Sequence, residues 1–177
     1  MSLPLLHLVP LGVALAWASV TDLRRRVVPN PVTVAVLASG LVVRAVDAGS
    51  GHRLVAVLSG VAAFALVLVV LLRPWSAGGV GGGDVKLAAA VAAWAGLDKL
   101  VYFALATAMA GGVVALVCYL RARATVRADV RNNLTLAILQ GRLPPVSGDR
   151  GREAAVPYAV AIAAGAAVAL LLADRLA

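Results

Sequence analysis

Residues 54–72 read LVAVLSGVAAFALVLVVLL, 19 positions without a charge, held between Arg53 and Arg73. A helix of that length rises about 28 Å, close to the ~30 Å hydrocarbon core of a bilayer. It offers no polar face to water, so it is surrounded by protein or by lipid on every side. Similar stretches stand on both sides of it. Residues 1–21 are uncharged with His7 neutral, and residues 27–43 lie between Arg26 and Arg44. Residues 100–120 and 154–173 give 21 and 20 uncharged positions, while a sixth stretch, 87–97, has only 11. Composition agrees: the 177 residues are 62% hydrophobic and 14% charged, with a mean hydropathy of +0.97. A soluble domain carries about 25% charge. A soluble domain and a disordered chain are therefore excluded, and a single cysteine, Cys118, excludes a disulfide-stapled scaffold. The expectation is an all-α membrane helix bundle of about six transmembrane segments, the fourth short, forming one domain over 1–177.

The net charge is +8 and the isoelectric point about 11.1. In a soluble protein this would suggest nucleic acid, but here the basic residues fall in the connections between apolar stretches and no nucleic-acid-binding module is present. Twelve of them lie in the odd-numbered connections: Arg24, Arg25 and Arg26, then Arg73 and Lys86, then seven arginines over 121–152. The even side has Arg53, Lys99 and Arg175, with Arg44 near its helix end. Basic loops stay on the cytoplasmic side, where they meet anionic lipid headgroups. Odd-numbered connections are thus expected to be cytoplasmic, and both termini are expected to face out. That alternation requires 85–97 to act as a crossing. Three arginines follow the first apolar stretch and none precedes it, the reverse of a signal peptide, so Ala16-Trp17-Ala18 is not a cleavage site.

Local signals place the helix ends. Asn30-Pro31 supplies an N-cap and a first-turn proline, Asp98 caps the fifth span and Pro157 opens the sixth. The polar loop 121–153 aligns Val130, Leu134, Ala137 and Ile138 on one face, which predicts a short interfacial helix over about 129–140.

Two aspartates fall at span boundaries, where an ionisable group is costly unless it has a task. Asp22 closes the first span in Ser19-Val20-Thr21-Asp22-Leu23-Arg24, and Asp84 follows the glycine run 78–83. Both are expected on the cytoplasmic side. Taken singly, Asp22 is an interfacial charge beside three arginines and Asp84 is a helix cap. Taken as a pair within a few Å, they cannot both ionise easily, so one keeps a proton while the other can take one from water. The glycines do not complete a phosphate-binding loop, since no Ser or Thr follows Lys86.

The surroundings of the pair are more specific. Asp22 is followed by Arg24-Arg25-Arg26-Val27-Val28-Pro29-Asn30, Asp84 stands in Gly81-Gly82-Gly83-Asp84-Val85-Lys86-Leu87, and Pro157-Tyr158 opens the last span. This resembles the type IV prepilin peptidases, a family of G-x-G-D intramembrane aspartyl proteases. The resemblance covers about residues 15–175. It implies that Asp22 and Asp84 are the catalytic pair and that Gly81 and Gly83 supply backbone that permits close substrate approach and turns forbidden to other residues. It implies supporting roles for Lys86, Pro29 and Asn30. The implied substrate is a pilin-like precursor whose short basic leader is removed at the cytoplasmic face. No cofactor and no metal are implied. The paired cysteines of the long, methylating members are missing, so S-adenosylmethionine is not implied either. The chain resembles the short, peptidase-only form found with Tad/Flp-type or archaellum-like systems. Ala159 stands where the family often has glycine, and the Pro-Ala-Leu of presenilin-type relatives is absent. A non-enzymatic transporter or assembly subunit, using the same aspartates as a proton or cation relay, is the competing reading.

The remaining polar residues read as structural. His7 lies toward the outer half of its span, Asp47 and Asp174 are loop charges, and Arg44 is expected to snorkel outward. Gly111-Gly112 suits close helix packing. Trp17, Trp75 and Trp94 either anchor at an interface or fill the bundle.

Overall fold

The computed structural model describes residues 5–140 and 156–172. They form six α-helices: α1 (Leu5–Arg25), α2 (Asn30–Asp47), α3 (Gly49–Ser76), α4 (Gly82–Arg121), α5 (Ala124–Gln140) and α6 (Tyr158–Ala167), which runs into a π-helical turn, Val168–Leu172. The fold is the expected all-α membrane bundle. By length and composition α2, α3 and α4 can each cross a membrane, and Tyr158–Leu171 is a shorter apolar helix. The outer part of the 121–153 loop, with Arg142, Arg150 and Arg152, lies outside the described residues, as do Asp174 and Arg175.

The 40 residues of α4 are not one rod. A straight helix would place Asp84 and Ala115 about 46 Å apart, yet both line a single groove. The chain folds back at Gly96, whose φ of 67° and ψ of −179° are non-helical. The result is a helical hairpin with a first limb over 82–95 and a second over 97–121. These limbs are the short fourth segment and the fifth segment of the sequence pattern. At 1.5 Å per residue the first limb is about 20 Å long, some two-thirds of a hydrocarbon core.

That short limb is the centre of the molecule. Leu87 and every residue from Ala89 to Ala95 are at most 1% exposed. Alanine on all faces lets neighbouring helices approach closely, which is how helices associate where water supplies no hydrophobic drive. α2, α3 and α6 all pack on α4, and α1 packs on α2 and α6. The second limb is different. Val101, Leu105, Met109, Val113, Leu116 and Leu120 recur every three or four residues and are all more than half exposed. Such a stripe would be a liability in water and suits lipid contact. Of the three tryptophans, Trp94 is the one that fills the bundle: it is 1% exposed and its Nε1–H donates to Val36 O at 2.7 Å. Gly40 is what leaves room for its ring. Trp17 and Trp75 are exposed. Gly111 packs against the Tyr158 ring, as small residues at a helix contact should.

Several local expectations are corrected. Arg44 does not snorkel. It turns into the bundle beneath the bend, where Nε donates to Ala56 O at 2.9 Å and Nη1 to Trp94 O and Ala95 O at 3.2 and 3.1 Å. Nη2 reaches Ser59 Oγ and Asp98 Oδ1. A reversal at Gly96 strips carbonyls of their helical partners, and a guanidinium with five donors is suited to satisfy them. Ser59 Oγ also accepts from Leu97 N–H at 3.0 Å. Asp98 therefore holds an arginine instead of capping a helix. Asn30 is not an N-cap either: α2 begins at Asn30, with Pro29 in the cap position and no side-chain cap. At the same end of the bundle as Arg44, Asp47 is not an isolated loop charge. Its Oδ1 lies 2.9 Å from His7 Nδ1, out of line for a good hydrogen bond. The helix after the second limb spans Ala124–Gln140, longer than the expected 129–140, and leaves Leu134, Ile138 and Leu139 exposed.

Candidate active site

The last turn of α1 carries Asp22, and the chain then reverses through Arg26, whose φ of 54° is left-handed. Arg26 N–H donates back to Asp22 O at 2.9 Å, closing the helix. This reversal brings Val27-Val28-Pro29 across the start of α4. Gly83 is what permits the approach: a Cβ there would stand 3.2 Å from Val28 Cβ and 3.5 Å from Val28 N. At Gly81 a Cβ would stand 2.8 Å from the Asp84 carboxylate. The expected unusual turns are not what these glycines supply, and the approach they permit here is by neighbouring parts of the same chain. They serve close approach, but their backbone is ordinary; Gly81 has φ −67° and ψ 138°, and positive φ occurs instead at Gly49, Gly78 and Gly96.

The two aspartates come together. Both line one cavity of about 260 Å³, along with Arg26, Asn30, Gly81 and Lys86, and they are close enough to interact electrostatically. Asp22 is only 6% exposed. A buried carboxylate requires donors, and one comes from a third element: Ala159 N–H, in the first turn of α6, donates to Asp22 Oδ2 at 3.2 Å. First-turn amides have no partner within their own helix, and they face a carboxylate with the positive end of the helix dipole. Because the contact is made by backbone, alanine serves at 159 as glycine would. Lys86 Nζ points to Asn30 Oδ1 at 3.4 Å, a long contact that ties the start of α4 to the start of α2.

All the site residues expected from the sequence therefore gather in one place: Asp22, Asp84, Gly81, Gly83, Lys86 and Asn30 line the cavity, and Pro29 caps the helix beside it. Sequence reasoning missed Arg26 in the cavity wall and the amide of Ala159. The arginine run offered no way to single out one member. The amide has no side-chain signature, and only Pro157-Tyr158 marked the start of its helix. Chemically, two carboxylates on a small polar cavity can exchange a proton with a water molecule held between them.

Residues 10–116 match the family model described as the type IV leader peptidase family. The chain belongs to that family. The match takes in Asp22, Asp84, the first limb of the hairpin and most of the second, and it makes the chain a leader-peptidase-like membrane protease in kind. No curated protein and no solved structure gives a match.

Proposed function

We propose that the chain is an aspartyl endopeptidase that cuts the short basic leader from type IV pilin-like precursors at the cytoplasmic face of a prokaryotic plasma membrane, with Asp22 and Asp84 as its catalytic pair. The observation that carries this reading is the convergence of the two carboxylates, from separate helices, on one 260 Å³ cavity. In the reaction one carboxylate takes a proton from water as the water attacks the scissile carbonyl. The other, protonated, donates to the carbonyl oxygen. The tetrahedral intermediate then collapses as a proton passes to the leaving amine. Asp22 Oδ2 already accepts the Ala159 amide, so the shared proton resides on Asp22 Oδ1 or on Asp84. Glycine at 83 lets Val28 close onto the start of α4, and glycine at 81 leaves the Asp84 carboxylate its place. Lys86 and Asn30 hold two of the three helix ends that frame the cavity. The exposed arginines of the same end pair with anionic headgroups and fix the depth of the site. A relay of protons or cations across the membrane would string its carboxylates through the bundle; here both stand at one end.

The test is leader cleavage by purified wild type, Asp22→Asn and Asp84→Asn, followed by mass spectrometry of the product. Asparagine keeps the acceptor for Ala159 N–H and removes the titratable group. The wild type cuts, and each variant, folded, loses at least 10³-fold in rate, in the range typical of removing an acid–base group. Loss in only one variant would remove the other aspartate from the mechanism.

A further inference from the structure

Two apolar grooves run along the bundle. One, of about 460 Å³, lies between α1 and α6. The other, of about 650 Å³, lies between α3, the second limb of α4 and α6, and Asp84 opens onto it. Both are within the ~300–1,000 Å³ range of binding clefts, and the second is the one that reaches a site carboxylate. Ala104, Ala108, Gly111 and Ala115 line it at helical spacing, and Asp84 is the one charged residue among the described residues that line it. Counted along the chain from Gly96, Asp84 and Ala108 are both 12 residues away, on opposite limbs. They stand at roughly the same level of the hairpin, with Ala104 about 6 Å and Leu100 about 12 Å further toward the bend.

We infer that this groove holds the apolar segment that follows the scissile bond of the substrate, as about eight residues of helix, and that Ala104 and Ala108 limit how bulky that segment can be. The inference rests on the aspartyl peptidase reading. Small residues on the floor let an incoming helix approach to backbone contact. An aliphatic helix laid there buries no unpaired charge except at the level of Asp84, where the peptide must unwind for attack. The α1–α6 groove has similar walls but does not reach either aspartate, so a helix lying in it could not present its N-terminal bond to the pair.

Ala16 lines the α1–α6 groove and, like Ala104 and Ala108, is exposed, so the same substitution tests both grooves. Full-length Ala104→Leu, Ala108→Leu and Ala16→Leu are each given a pilin-like precursor, and a peptide with the same leader that ends three residues past the cleavage point. Ala104→Leu loses at least tenfold in kcat/KM on the precursor and keeps wild-type kcat/KM on the peptide; Ala108→Leu, level with Asp84, loses at least tenfold more on the precursor than on the peptide; and Ala16→Leu matches wild type on both. Equal loss on both substrates, no loss on the precursor, or loss confined to Ala16→Leu would overturn the assignment. A second measurement does not need turnover. In a Cys118→Ala, Asp84→Asn background, a cysteine at position 104 forms a disulfide with a cysteine five to eight residues past the cleavage point of the precursor, and one at position 16 does not. Cross-linking at 16, or at neither position as when lipid fills the groove, rejects it. A wild type that cuts no precursor would refute the peptidase reading itself, while the cross-link would still report on the groove.

Discussion

Gly96→Ala adds one methyl group where two contributions meet. The first is conformational. At φ 67° and ψ −179° the backbone occupies a region that glycine alone enters freely, and holding alanine there costs on the order of 1–3 kcal/mol. The second is a collision, because a Cβ at 96 would fall on the Arg44 guanidinium. Arg44 must then give up its bonds to the carbonyls of Ala56, Trp94 and Ala95. Hydrogen bonds between membrane helices average about 0.6 kcal/mol each, so three are worth about 2 kcal/mol. The total is about 3–5 kcal/mol. Gly78 provides the control: its φ is 75° and a Cβ there meets open space, leaving about 1–2 kcal/mol of left-handed strain. Reversible unfolding in mixed micelles measures both. Gly96→Ala is expected to lose about 2 kcal/mol more than Gly78→Ala, and the gap should close when both are made in an Arg44→Ala background. Equal losses in the parent background would refute the seating of Arg44 beneath the bend.

Gly82→Ala and Gly83→Ala should differ in rate. The new methyl at 82 meets the exposed Trp75 ring, which can swing away, whereas at 83 it meets the side chain and backbone of Val28. Gly82→Ala therefore retains leader cleavage within about twofold of wild type, and Gly83→Ala falls at least tenfold with its unfolding midpoint little changed, since displacements near 1 Å at a reacting centre cost up to ~10²-fold. Trp94→Phe removes the Nε1–H donor to Val36 O and leaves a small void. Micelle unfolding should show a loss of about 1–3 kcal/mol, with kcat/KM close to wild type at temperatures where the variant is folded.

How much of this was legible depends on what each feature is made of. Spans, their order and the shortness of the fourth follow from runs of uncharged residues, because lipid reads side chains one segment at a time. The gathering of Asp22 and Asp84 was legible as two motifs on adjacent ends of separate helices. The Gly96 reversal was visible only as a charge pair, Asp98-Lys99, that divided an apolar run. Nothing in the sequence stated that the break would leave carbonyls for Arg44, so a lone arginine near a helix end read as a snorkelling charge. Asn30-Pro31 suggested a cap by composition, but Pro29 already has the extended backbone that a cap position needs, and the helix starts one residue early. The Ala159 amide belongs to backbone and could not be found from residue types at all.

The placement of the polar anchors has a mechanical consequence. Arg44, Asp98 and Ser59 grip the hairpin at its bend, while Asp84 rides some 18 Å away on a limb whose tip is steadied by glycine contacts and the long Lys86–Asn30 bond. The first limb is a lever with its fulcrum clamped. A swing of roughly 5° at the fulcrum carries the carboxylate about 1.5 Å at the tip, given a helix of that length. The stiffness of the far end thus sets the aim of the near one.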